Sequence, residues 1–141
     1  MRKPEQRLWD RMRKALGDKY YLERVENCVV AGRPDIDLML RGIVLPIELK
    51  AATYPKRPST PVLGKDGLNQ NQLNWWLKWR KHGGQGFIIV GVDQDLYMVP
   101  CKYSEEVNSY TRLDLEEFLV VWGNTAAPIL KQIDFICSQH R

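Results

Sequence analysis

The sequence predicts an α/β fold, a mixed central β-sheet flanked by helices, from three observations. Phe87 to Val92 is a continuous apolar run directly after a helical segment, the pattern of a strand buried on both faces. Ile36–Leu40 and Ile43–Leu49 are short apolar-rich runs around Arg41-Gly42, which reads as a β-hairpin. A helical apolar period opens the chain. A helix lying between strands that are not joined by a tight turn implies a crossover, and so a mixed sheet rather than a helical bundle.

In chain order, Pro4 to Leu16 is expected to be helical, with Pro4 in the first turn, Leu8, Trp9, Met12, Ala15 and Leu16 at helical spacing, and Gly17 as C-cap. Tyr20 to Val30 reads as a strand with imperfect alternation. Ala51 to Leu68 carries three prolines, two glycines and three basic residues, so it is expected to be a long loop. Asn69 starts a second helix that runs to about Lys81; Gln72, three residues on, completes a capping-box pattern, and Gly83-Gly84 ends it. After the buried strand, Asp93-Gln94-Asp95 turns the chain and Leu96–Pro100 returns. Leu113–Trp122 and Ala126–Gln139 are expected to be helices.

The 141 residues make one domain, with a core over about 1–100 and a C-terminal helical extension over about 105–141. No apolar run approaches the roughly 20 residues of a membrane span. Cys28, Cys101 and Cys137 are widely spaced and odd in number, and His82 and His140 are the only histidines, a set that argues against structural zinc and fits a reducing cytoplasm. A net charge of +4 and a pI near 9.0 are compatible with a polyanionic partner.

The residues that carry chemistry lie around the hairpin. Glu48 and Lys50 share one strand face, while Ile47 and Leu49 are expected to point into the core. If Arg41-Gly42 is a two-residue turn, Leu40 opposes Ile43, Leu38 opposes Leu45, Ile36 opposes Ile47 and Asp35 opposes Glu48. Two like charges that close repel unless a cation sits between them, and a hard divalent ion takes oxygen ligands of this kind. Lys50 would reach the same place, to orient a water or to stabilise charge on a reacting phosphate. A Gly42-Ile43 turn would oppose Asp37 to Glu48 instead, and Pro46 is expected to mark a bulge or an edge position. The bland alternative is a surface ion pair of Asp35 or Asp37 with Lys50.

Gly32-Arg33-Pro34-Asp35, the hairpin and Ile47-Glu48-Leu49-Lys50 resemble the PD-(D/E)XK nuclease superfamily. Gln72-x-x-Trp75, Gly83 and the following apolar strand resemble the Gln-bearing helix of its VRR-NUC and Holliday-junction-resolvase-like branch. The likeness spans roughly Glu5 to Val92, and Pro100 to Arg141 carry no matching motif. It implies a magnesium- or manganese-dependent phosphodiesterase acting on DNA, in the cytoplasm of a bacterium or a phage-infected host. It also implies roles: Asp35 and Glu48 as metal carboxylates, the Leu49 carbonyl and Glu5 as further ligands, Lys50 as the catalytic lysine and Gln72 as a helix residue near the active centre. The alternative class is a nucleic-acid-binding or structural protein that keeps the fold without cleaving; a branch-specific resolvase would act as a symmetric homodimer.

Arg33, beside Asp35, is a candidate contact to the scissile strand. Lys56, Arg57 and Lys65 in the long loop, with Lys78, Arg80 and Lys81 at the second helix end, are candidates for phosphate contact or a solvated face. Trp75 and Trp79, four apart, are expected to pack on the sheet with Trp76 flanking them. Glu5 and Gln72 also have local readings, as a first-turn carboxylate and as a helix cap.

Overall fold

The computed structural model describes residues 3–16, 21–25, 30–40 and 42–120. The expected helix at 126–139 and the Gly17 cap lie outside these residues. Helix α1 (Lys3–Leu16) precedes strands β1 (Tyr21–Arg24), β2 (Ile36–Leu40) and β3 (Ile43–Ala52). Helix α2 (Gln70–Lys81) follows, then β4 (Phe87–Val92), β5 (Asp95–Pro100), the short helix α3 (Arg112–Leu115) and β6 (Leu119–Val120). The six strands form one sheet in chain order, and only β3 and β4 run parallel. A parallel neighbour requires a crossover, and α2 supplies it. No helix among the described residues is long and apolar enough to cross a membrane.

Both faces of the sheet are covered. Leu8, Trp9 and Met12 of α1 pack on one face with Ile36, Leu38, Leu45, Ile47, Leu49, Phe87 and Ile89. Trp76 of α2 packs on the other with Ile88, Val90, Val92, Tyr97 and Val99. The alternate residues of β4 therefore go to different cores, which is why Phe87–Val92 has no polar face. Trp76 is the fully buried tryptophan, whereas Trp75 and Trp79 stack on each other at its flank, with ring centroids 5.1 Å apart. Trp75 and Trp79 do pack against this core, partly buried, but Trp76 does not merely flank them: the helix turns it into the core towards Gly86, where an added Cβ would lie 2.8 Å from its ring.

Pro46 produces no bulge, since pairing with β2 is continuous through Asp37–Pro46. The β3–β4 ladder begins one residue later, at Ile47–Phe87, so the missing N–H of Pro46 leaves no β4 acceptor unpaired. Of the helix expected over 113–122, residues 121 and 122 lie outside the described residues, and 113–120 do not form one continuous helix. A capping box at Thr111 and Asp114 starts one turn of α3, a 3-10 turn follows over Glu116–Phe118, and Leu119–Val120 pair with β5. That pairing covers part of the otherwise open β5 edge, a tertiary gain that outweighs local helical periodicity.

The long loop is docked. Val62, Leu63 and Leu68 are buried in the α2-side core. Asn108 binds both backbone groups of Leu68, accepting from its N–H at 2.7 Å and donating to its carbonyl at 2.8 Å. The Val62 N–H donates to the Tyr110 carbonyl at 2.9 Å. Asn108→Ala should cost about 1–3 kcal/mol, because two backbone groups lose their partner. Urea unfolding checks the loss. Trypsin should also cut at Lys56 or Lys65 faster than in the wild-type chain.

Candidate active site

The site lies where two strands part. The β2–β3 ladder ends at Ile36–Ile47, while β3 continues to Ala52 with a neighbour on its β4 side. The pairs Leu40–Ile43, Leu38–Leu45 and Ile36–Ile47 are those of the Arg41-Gly42 turn, and Asp37 pairs with Pro46 rather than with Glu48. Asp35, the residue before β2, is held from both sides. Its carbonyl accepts from the Val25 N–H at 2.7 Å, and its carboxylate Oδ2 accepts from the Leu49 N–H at 3.1 Å. A side chain thus closes the ladder where the β2 backbone has turned away. Because the N–H and C=O of one strand residue face the same neighbour, the Leu49 carbonyl looks into the same notch.

Glu48 is 2% exposed, and its Oε1 has no hydrogen-bond partner. Burial pushes its carboxyl well above the usual range; the hydrogen bond to Asp35 and the charges of Asp35 and Glu5 add to this, and Lys50 opposes them. Glu48 lies beside Ile88 and Lys50 beside Val90, on the α2 face of the sheet. That face is a second core rather than a polar surface, which is why Glu48 is so dry. Lys50 and Asp35 are half-buried at its margin, and Glu5 is half-buried on α1.

A divalent cation fits this donor set. An orphaned buried carboxylate oxygen, the Asp35 carboxylate beside Glu48 and a backbone carbonyl facing the same notch are hard oxygen donors, and a cation would relieve the repulsion between them. No group of three or more His, Cys, Asp or Glu placed to hold a metal occurs among the described residues, so the set is two carboxylates plus backbone.

The loop before Asp35 is fixed by Gly32. Its φ is +79°, and an added Cβ would lie 2.1 Å from the Asn71 carbonyl oxygen, so the loop rests on the first turn of α2. Arg33 then lies over the Trp75 ring at 5.1 Å and pairs with Asp37 at 2.5 Å. Asp37 and Trp75 are thus parts of the Arg33 setting; no motif marks either of them for that role. Gln72 is committed to its helix: its side-chain oxygen accepts from the Asn69 N–H, and its own N–H donates to the Asn69 side chain, both at 2.9 Å. The capping reading of Gln72 therefore holds in this structure, although the helix end it caps is the one against Gly32. Lys78 and Lys81 are exposed about 9 and 14 Å along the α2 axis from Gln72. Lys56, Arg57 and Lys65 are exposed on the loop beyond β3. Arg80 is engaged with Ser104 and Glu105.

No family model matches the chain, and no curated protein matches it. Among solved structures it is similar to Hjc, a Holliday junction resolvase from the archaeal hyperthermophile Archaeoglobus fulgidus, at 17% identity and a TM-score of 0.48. The match covers 71% of this chain and 74% of that one. The likeness is coarse, and the roles below are assigned from this chain's own residues.

The buried carboxyl has a measurable consequence. With its pKa raised in the fold, Glu48 contributes stability as the neutral acid below its unfolded value, and this is lost as pH rises through the folded value. Glu48→Gln keeps a donor to Asp35 and removes that loss. In EDTA the variant should match the wild type near pH 4 and melt about 3 °C or more above it at pH 8. Calorimetry over a pH series is the check, and a variant less stable at pH 8 would contradict the assignment.

Proposed function

We propose that the chain is a metal-dependent nuclease of the PD-(D/E)XK type that hydrolyses DNA phosphodiester bonds, structure-selective in the manner of VRR-NUC proteins. The observation that carries the reading is the Asp35–Glu48 pair at the parting of β2 and β3, with one oxygen of the buried Glu48 left without a partner. A pair of carboxyls placed there weakens the fold unless it serves a ligand.

Asp35, Glu48 and the Leu49 carbonyl are the proposed holders of magnesium or manganese, with Glu5 adding negative charge nearby. Bound there, the ion supplies Lewis-acid polarisation of the phosphate and acidification of the attacking water. The Asp35 carboxylate keeps its orientation through the Leu49 N–H. Lys50, on the same strand face as Glu48, presents an ammonium group that can hold the water or balance charge developing on the phosphate. The hydrophobic surroundings of Glu48 strengthen each of these electrostatic contacts relative to water. Arg33, braced by Trp75 and Asp37, is the proposed contact to the scissile strand.

Asp35→Ala, Glu48→Ala and Lys50→Ala should each reduce cleavage by about a thousandfold or more, the scale on which a transition-state electrostatic contact is lost. Asp37→Ala should retain more activity than Asp35→Ala, since Asp37 meets Arg33 and not the pair. The check is a nicking and strand-cleavage assay over linear, flapped and four-way DNA with magnesium, manganese or calcium. Calcium is expected to support little cleavage, its looser coordination placing the water poorly. Cleavage that survives EDTA, or a fully active Glu48→Ala chain, would refute the mechanism.

A further inference from the structure

Beyond Lys50 the chain passes Ala52 and reaches Tyr54, both packed on the α2-side core that also borders Glu48. Tyr54 is six residues past Glu48, a span of at most about 22 Å, so it lies within a few nucleotides of that carboxylate along a bound strand. Its hydroxyl is held by hydrogen bonds to Asp95 and Tyr97 of β5. The Arg112 guanidinium lies over its ring, 3.8 Å from the centroid. Around this stack, between the proline-rich loop and α3, is a cleft of about 290 Å³. Lys56, Arg57 and Arg112 line it against one carboxylate, Glu116, so its charge favours an anion. Leu113, also in the lining, is 74% exposed, the most exposed large apolar residue described.

Three features select the occupant. The cations call for phosphate. The exposed guanidinium plane and Leu113 call for a flat apolar surface, which a base provides. Bases inside a duplex are stacked on both faces and cannot offer one, and the volume suits a single nucleotide rather than a double helix. The cleft is also built in advance: Asn108 and Tyr110 tie the loop to the segment that carries Arg112, so little ordering is needed on binding.

We propose that this cleft holds one unpaired nucleotide of a DNA strand, with its phosphate on Lys56 and Arg57 and its base stacked on the free face of the Arg112 guanidinium, bordered by Leu113. The nuclease reading places that nucleotide on the strand being cut, so the substrate is DNA with a single-stranded segment beside the cleavage point. The cleft itself is tested without cleavage.

The experiment uses the full chain carrying Glu48→Gln, in EDTA, with labelled single-stranded and hairpin-duplex oligonucleotides read by fluorescence anisotropy. Arg112→Ala should weaken single-strand binding about tenfold and leave duplex binding within twofold, because stacking on one base is lost. Arg112→Lys keeps the charge and should fail to restore the loss. Leu113→Ser, at a position too exposed to disturb the fold, should weaken single-strand binding about threefold. Lys56→Ala and Arg57→Ala should each lower the salt slope by somewhat under one unit. Equal losses on duplex and single strand would overturn the proposal in favour of a plain phosphate patch. Unchanged single-strand binding in Arg112→Ala and Leu113→Ser would overturn it outright, as would displacement of the oligonucleotide by polyglutamate at equal charge. The two readings fail separately. A chain that cleaves nothing yet keeps Arg112-dependent single-strand binding loses the nuclease reading and keeps the cleft; a cleaving chain indifferent to Arg112 does the reverse.

Discussion

The hydrogen bond from the Leu49 N–H to the Asp35 carboxylate is the contact on which the site depends. It occupies the point where β2 leaves β3, and a backbone carbonyl would take that N–H if the ladder continued. With a side chain there instead, the strands separate without an orphaned donor. The separation opens a notch beside Glu48 and Leu49 while β4 still supports β3 from the other side. The Asp35 carboxylate is thereby fixed by the sheet itself, which is the most rigid support the chain offers.

The same construction explains why Glu48 sits in an unfavourable place. Its strand neighbours belong to the second hydrophobic core, and α2 with Trp76 covers that face. The carboxyl is buried, and its Oε1 has no hydrogen-bond partner. Such strain persists where the surrounding structure over-determines it, and here two cores and a Gly32-mediated contact with α2 do so. The loop beyond β3 is tied by Asn108 to a segment that also contributes β6.

The register at the heart of the site was legible in the sequence only as one of two: a two-residue turn at Arg41-Gly42 puts Asp35 opposite Glu48, a Gly42-Ile43 turn puts Asp37 there, and the pairs Leu40–Ile43 to Ile36–Ile47 are those of the first. The capping box at Asn69 was also legible, since its partners are three residues apart. The burial of Glu48 was not, because it depends on α2 covering a face that alternation alone makes polar. Nor was the choice of Trp76 over Trp75 and Trp79, which the close approach to Gly86 decides. Residues 113–122 have a helical period, yet the open edge of β5 draws Leu119 and Val120 into the sheet. The Arg112–Tyr54 stack joins residues far apart in sequence, with no local pattern linking them.

Manganese binding to the full chain without DNA tests the central claim most directly, with free ion read by electron paramagnetic resonance at neutral pH. The account predicts saturable binding in the wild-type chain and at least a tenfold loss of affinity in both Asp35→Asn and Glu48→Gln. Binding of equal strength in all three proteins, or none in the wild type at millimolar manganese, would contradict it.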